Sequence, residues 1–267
     1  MRYRARLAYD GTAYEGFQRQ LPGHPTIQEA VEVAIQQVTK KPTTVIGAGR
    51  TDSGVHASGQ VISFEVEGWS RGEAILLKAL NATLPRDIAL QDLAIAEPDF
   101  HPRFDAATRL YRYRVLNMTQ PQPLLRHRVW QVRGALDHKA MQAGAGMLIG
   151  QHDFAAFGTP PTGSNTIRRV LQSEWSMQTS EYGPLWTYTV EAEAFLKHMV
   201  RRMVAALVAI GRGDWSVSDL EGRFQARILI DSLPLAPPQG LTLEAVTYTP
   251  ESKRANRVHP VIVDNDR

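Results

Sequence analysis

Cysteine is absent from the 267 residues. Disulfides, thiolate nucleophiles and thiolate-bound zinc or iron–sulfur centres are therefore excluded, and a metal would need ligands from the eight histidines and the carboxylates. No stretch of about 18 apolar residues occurs, so the chain is not expected to span a membrane. The N-terminus, from Met1 to Asp10, lacks the apolar core of a signal segment. The expected setting is therefore soluble and intracellular, in the cytoplasm. Charge of one sign is scarce as well: 30 Lys and Arg face 27 Asp and Glu, a net +3. That balance allows a polyanionic partner without demanding one. What remains is an ordinary globular composition, 43% apolar and 21% charged, long enough for one large domain or two modest ones.

The patterning predicts an α+β protein. Tyr3, Ala5, Leu7 and Tyr9 alternate with Arg2, Arg4 and Arg6, which is the period of a half-buried strand. Its arginine face is either a solvated surface or a track for phosphates. Thr26-Ile-Gln-Glu29 has capping-box spacing and opens a helix that carries Ile27, Ala30, Val31, Ala34, Ile35 and Val38 before Pro42 stops it. Residues 61–66 read as a strand, 73–80 as a helix and 81–87 as a loop before another strand. The grammar then returns, with strands at Tyr111–Val115, 185–195 and 241–248. Helices are expected over 137–150, over 200–210 closing on Gly211, and near 220–226 with Ser218 as cap. Residues 1–104 and 105–250 thus form two similar halves, each a mostly antiparallel sheet with helices on one face, and 251–267 a polar tail. Whether the two sheets join is left open.

Three segments concentrate chemistry. From Gly47 to His56 the chain packs three glycines with Arg50, Asp52 and His56. Glycines let backbone approach a ligand closely, while Asp-Ser-Gly is also an ordinary turn sequence. An aspartate next to an arginine stays ionised and oriented, as a nucleophile or base must be. A dinucleotide fingerprint is excluded because the third glycine and the following helix are missing. A metal site on Asp52 and His56 lacks a second ligand pair of suitable spacing. Around Tyr111 and Tyr113, tyrosines interleave with Arg112 and Arg114, which suits either base stacking with phosphate contact or an edge strand with tyrosines in the core. In the third segment, Phe195 to Met203, Lys197 and Arg201 share one helix face near its start. There they oppose the macrodipole, and an anion such as Asp52 would compensate.

Together these segments resemble the bacterial tRNA pseudouridine synthase A family, from Tyr3 to Tyr248. The most specific run is Gly49-Arg-Thr-Asp-Ser-Gly-Val-His-Ala57. Supporting runs are Phe17-Gln-Arg-Gln20, Leu84-Pro-Arg-Asp87, Phe100-His-Pro-Arg-Phe104, Arg109-Leu-Tyr-Arg-Tyr113, His152-Asp-Phe154, Phe195-Leu-Lys-His-Met-Val-Arg201 and Gly240-Leu241. Ser53 stands where alanine is usual, Arg202 where asparagine is common, and Ala205-Ala206 where a glycine is common.

The resemblance implies an enzyme with a catalytic cleft between the two halves. It would isomerise uridine at positions 38, 39 and 40 of the tRNA anticodon arm by flipping the base, with no cofactor and no metal. Asp52 would be the catalytic aspartate, Arg201 its ion-pair partner, and Tyr111 the ring that stacks on uracil and helps move the C5 proton. Arg50 would hold the nucleotide out of its stack, and Leu196, Lys197 and Arg109 would contact it. A homodimer bridged by RNA is implied. Two alternatives stand beside this reading. A non-catalytic RNA-binding module would share the basic strands but have no use for Asp52. A dimeric aspartic protease would need two copies of Asp52 sharing a proton. Basic groups expected to meet RNA are Arg2, Arg4, Arg6, Lys40, Lys41, Arg126, Arg128, Arg168 and Arg169.

Overall fold

A computed structural model describes residues 1–161 and 163–249; the expected tail over 251–267 lies outside the described residues. The strands are β1 (Arg2–Tyr9), β2 (Ile46–Gly47), β3 (His56–Glu65), β4 (Ile88–Ile95), β5 (Ala106–Asn117), β6 (Trp130–Val132), β7 (Gly150–Asp153), β8 (Ile167–Ser180), β9 (Gly183–Ala192) and β10 (Leu241–Tyr248). The helices are α1 (Ile27–Thr39), α2 (Glu73–Thr83), α3 (His138–Gly146), α4 (Met199–Gly211) and α5 (Val217–Ala226).

The two sheets join. One ten-stranded sheet runs β4-β1-β3-β10-β5-β9-β8-β7, with β2 beside β3 and β6 beside β5. Pairing is antiparallel except for β10 with β3 and β5 with β6. The last described strand is the joint: Thr242 and Leu243 pair with His56 and Ala57, while Leu241 to Tyr248 pair with β5. The approach at that joint is close. A Cβ on Gly59 would collide with the Glu244 carbonyl oxygen, so only glycine lets the two backbones meet there.

The helices follow from the predicted periodicities, with corrected ends. Thr26 caps α1 by accepting the Glu29 amide at 3.3 Å. Ser216, not Ser218, caps α5, two residues earlier than expected, and Asp219 returns the bond to the Ser216 amide at 2.7 Å to complete a capping box. The helix expected over 137–150 stops at Gly146, because residues 150–153 leave to pair with β8. Helix α4 is the most buried: every residue except Arg201 and Arg202 is sealed from solvent. It packs on α3, where a Cβ on Gly144 would press into Leu207 and one on Gly211 into Met141.

Gly59→Ala should therefore lower unfolding free energy by about 1–3 kcal/mol through overpacking. Gly146→Ala, in a helix with open space around it, should leave stability unchanged or raised by up to about 1 kcal/mol. Urea denaturation of the two variants beside the parent checks both.

Candidate active site

The loop that carries Asp52 is fixed from below. Phe17 donates its amide to the Thr51 carbonyl (3.1 Å), and the Thr51 hydroxyl meets the Tyr9 hydroxyl at 2.8 Å. The Tyr14 carbonyl accepts from the Gly54 amide and from the Ser53 hydroxyl, both at 3.2 Å. That second bond is what serine adds over the usual alanine. A turn closes from the Val55 amide to the Asp52 carbonyl (3.1 Å), with Gly54 at φ 77°, where a side chain would be strained. The turn is closed by backbone, so the Asp52 carboxylate is not consumed in capping it.

On the other side of the loop, fully buried Gln60 grips Gly49. Its side-chain amide donates to the Gly49 carbonyl (2.7 Å) and accepts from the Gly49 amide (3.2 Å). Then comes His56. Its Nδ1 accepts the Gly11 amide (3.0 Å), which places the ring proton on Nε2, and Nε2 donates to the His127 carbonyl at 2.8 Å. His56 is thus a pin between three loops. Neither Gln60 nor the role of His56 was legible in the sequence, because their partners are main-chain atoms that only the fold brings to them.

Asp52 meets the start of α4. Its Oδ2 accepts from Nη1 of Arg201 at 3.1 Å, and His198 Nε2 stands 3.6 Å from the same oxygen. Arg201 is held in turn, because its Nε donates to the Ala236 carbonyl (2.8 Å). The helix starts at Met199, so of the two basic residues expected near its start only Arg201 lies on it. Lys197 precedes it, and His198 is its N-cap, in the left-handed region at φ 64° without a side-chain cap bond. The clash between macrodipole and cations is resolved by Asp52, whose negative charge sits at the positive end of α4. Burial pushes His198 below its ordinary pKa; Asp52 opposes that, and the charges of Arg201, Lys197 and Arg202 reinforce it. A neutral imidazole leaves Arg201 as the cation that balances Asp52.

These groups line a pocket of about 460 Å³, within the roughly 300–1,000 Å³ of small-molecule sites. It lies between residues from both expected halves. Tyr111 forms one wall, buried, with Phe195 edge-on at 5.1 Å between ring centres. Burial, then the nearby Tyr9 and Asp52, drives its phenol well above the usual tyrosine pKa, against the opposing pull of Arg109, so it stays neutral. Leu196 lines the pocket buried, Lys197 and Arg50 exposed. Asp52 is the one acid among the described lining residues.

Arg109 departs from expectation. Its guanidinium donates to the carbonyls of Glu193 (2.7 Å), Ala48 (3.0 Å), Arg103 (2.5 Å) and Ala106 (3.5 Å), so it clamps the pocket wall and has little left for a ligand. The adjacent Arg50 does not pair with Asp52; Arg201 does, from 149 residues away. Arg202 donates to the Ile230 carbonyl at 3.3 Å and the Phe157 carbonyl at 3.4 Å, which is packing. Several expected phosphate contacts are ion-paired instead: Arg2 with Glu65, Arg6 with Asp92, Lys41 with Glu67 and Arg128 with Asp10.

His56 gives the site a pH signature. Burial is the main cause that lowers its pKa below 6.5, so the unfolded chain binds the proton more readily. Stability contributed by the neutral ring is complete above about pH 6.5 and is lost as pH falls toward the folded value, by at most about 1.4 kcal/mol per pH unit. Denaturation midpoints between pH 7.5 and 5.5 should fall, and His56→Gln should flatten that slope.

Comparison with known proteins gives a concordant result. A family model described as tRNA pseudouridine synthase matches residues 5–105 and 145–249. Relatives bearing the name tRNA pseudouridine synthase A include one from Methylacidiphilum infernorum, 39% identical over 94% of this chain and 97% of its own length. Another, from Geobacter sulfurreducens, is 40% identical over 91% of this chain and 97% of its own. A third, from Solidesulfovibrio magneticus, is 42% identical over 92% and 91%. The chain belongs to the tRNA pseudouridine synthase family.

Proposed function

We propose that the protein isomerises uridine to pseudouridine at positions 38, 39 and 40 in the anticodon arm of tRNA, with Asp52 as catalytic residue. The observation that supports this most directly is the asymmetric hold on the carboxylate. Both Arg201 and His198 approach Oδ2. Among the described residues Oδ1 has no partner, and it belongs to the pocket's single acid. A fixed, charge-balanced carboxylate with one free oxygen is a preorganised reagent.

The reaction breaks N1–C1′, turns the uracil and forms C5–C1′. The C5 proton leaves and N1 gains one, so atoms balance without redox or an energy carrier. Attack at C1′, attack at C6 and removal of the C2′ proton all begin with the same free oxygen. The first has the charge pattern of a retaining glycosidase. Flipping the uridine out of its stem costs a few kcal/mol. Arg50, exposed at the mouth, fills the vacated stack. Tyr111 and Leu196 receive the uracil. A phenol that stays neutral stacks on the uracil and passes the C5 proton on through its hydroxyl rather than acting as a standing phenolate. Lys197 adds charge at the rim, and Arg109 keeps the wall in shape.

Asp52→Asn and Asp52→Ala should abolish pseudouridine formation, mapped in incubated tRNA, while tRNA binding stays within about threefold of wild type. Pseudouridine at the wild-type rate in either variant would overturn the assignment.

The RNA reading also carries a homodimer, as the family resemblance implies, acting in the expected cytoplasmic setting. Sedimentation should give about twice the 29.8 kDa of the chain, and a monomer mass that persists with tRNA bound would refute the dimer.

A further inference from the structure

The pocket holds more cations than Asp52 and the main chain can use. Arg201 and Arg109 are engaged, as described. Arg103 and Arg168 also line the pocket. Arg103 precedes β5 and has no carboxylate or carbonyl partner for its guanidinium among the described residues; its recorded contact is the Phe104 ring, 5.7 Å from ring centre to Cζ. Burial, and next the charge of nearby Arg50, push its guanidinium below the usual arginine range. Arg50 and Arg103 are thus two like charges lining one pocket, in which Asp52 is the one acid among the described lining residues.

Arg168 comes from a different element, the start of β8. Its Nη1 donates to the carbonyls of Ile167 (2.6 Å) and Asn165 (3.1 Å), which fixes the plane of the fork. Its Nε is shut off from solvent and has no partner. That N–H is sealed from any incoming group, but Nη2 carries no hydrogen-bond partner among the described residues, and an anion reaching it makes a charge-assisted bond.

A nucleotide that enters this pocket cannot leave its phosphates behind. An everted uridine stays joined to the chain through the 5′ and 3′ phosphodiesters of the same sugar whose C1′ must reach Asp52. The carboxylate repels both groups, so the walls must offset them. We propose that Arg103 and Arg168 bind the two phosphodiesters that flank the everted uridine, one each. This rests on the tRNA reading above.

The test uses full-length protein and tRNA with a single uncharged methylphosphonate on either side of the target uridine. Arg103→Gln and Arg168→Gln should each raise KM about tenfold and reduce the slope of log Kd against log salt by about one. The matching methylphosphonate should cost wild type a similar factor and cost the matching Gln variant little more. Arg103→Lys and Arg168→Lys should recover the salt slope but only part of KM, because a point charge lacks the fork. Wild-type KM and slope in both Gln variants, or full multiplication of variant and methylphosphonate effects, would overturn the inference. Should a Gln variant fail to fold, the wild-type comparison decides alone: neutral phosphates on both sides with unchanged KM reject it. Wild-type protein that makes no pseudouridine rejects the tRNA reading and this inference together. Pseudouridine formation with indifferent arginines rejects this inference only.

Discussion

The ion pair between Asp52 and Arg201 is the constraint to which the architecture answers. It joins a surface loop to a helix that is buried almost throughout, across 149 residues of chain. Partly desolvated charges repay their cost only when geometry is fixed from both ends. The loop end is fixed by Tyr9, Tyr14, Phe17, Gln60 and His56. The helix end is fixed by the Ala236 carbonyl on Arg201 and by the packing of α4 on α3. Strand β10 completes the arrangement, because it hydrogen-bonds to β3, which follows the loop, and to β5, which carries Tyr111.

Much of this fold is written in local pattern, and the failures have physical causes. Strand β10 has the expected limits because Gly240 and its proline-rich approach mark where it starts. Helix α4 is legible because its apolar stripe is wide. Strand β8 was not anticipated. Its buried positions are Val170, Ser173 and Trp175, a spacing of three and then two, because the register slips between Val170 and Gln172. A bulge erases the period that would have announced the strand. The shift from Ser218 to Ser216 in α5 is a contest between two hydroxyls that each have an acid three residues on, Asp219 and Glu221, so spacing alone does not choose between them.

The site was legible in its residue types more than in its pairings. The glycine-rich loop around Asp52 stood out because a charged pair inside such a loop has no structural need. Which arginine would hold the aspartate was not readable from spacing, because the adjacent Arg50 and the distant Arg201 are equal candidates until the chain folds. Arg109 illustrates the opposite error. An arginine in a motif suggests a ligand contact, yet a buried guanidinium surrounded by carbonyls is a brace. His198 lay inside a quoted run without a role, since its left-handed backbone and its approach to Asp52 are properties of the helix start, not of the residue type.

A net charge of +3 conceals how the cations are distributed. Away from the pocket they are matched: Arg2, Arg6, Lys41 and Arg128 each face a carboxylate, in pairs that contribute at most about 1 kcal/mol each and are screened by salt. In the pocket, by contrast, Arg50, Arg103, Arg168 and Lys197 have a single acid among them, and that acid is already bound to Arg201. The surplus is therefore local, gathered at and within one pocket, where it acts on an approaching polyanion more strongly than the same charges spread over the surface. Repulsion between Arg50 and Arg103 is sustained by the sheet and by α4, whose apolar burial is indifferent to pocket charge. Stability and affinity are thereby assigned to different residues, and the pocket can remain charged and incomplete while the fold beneath it is neither.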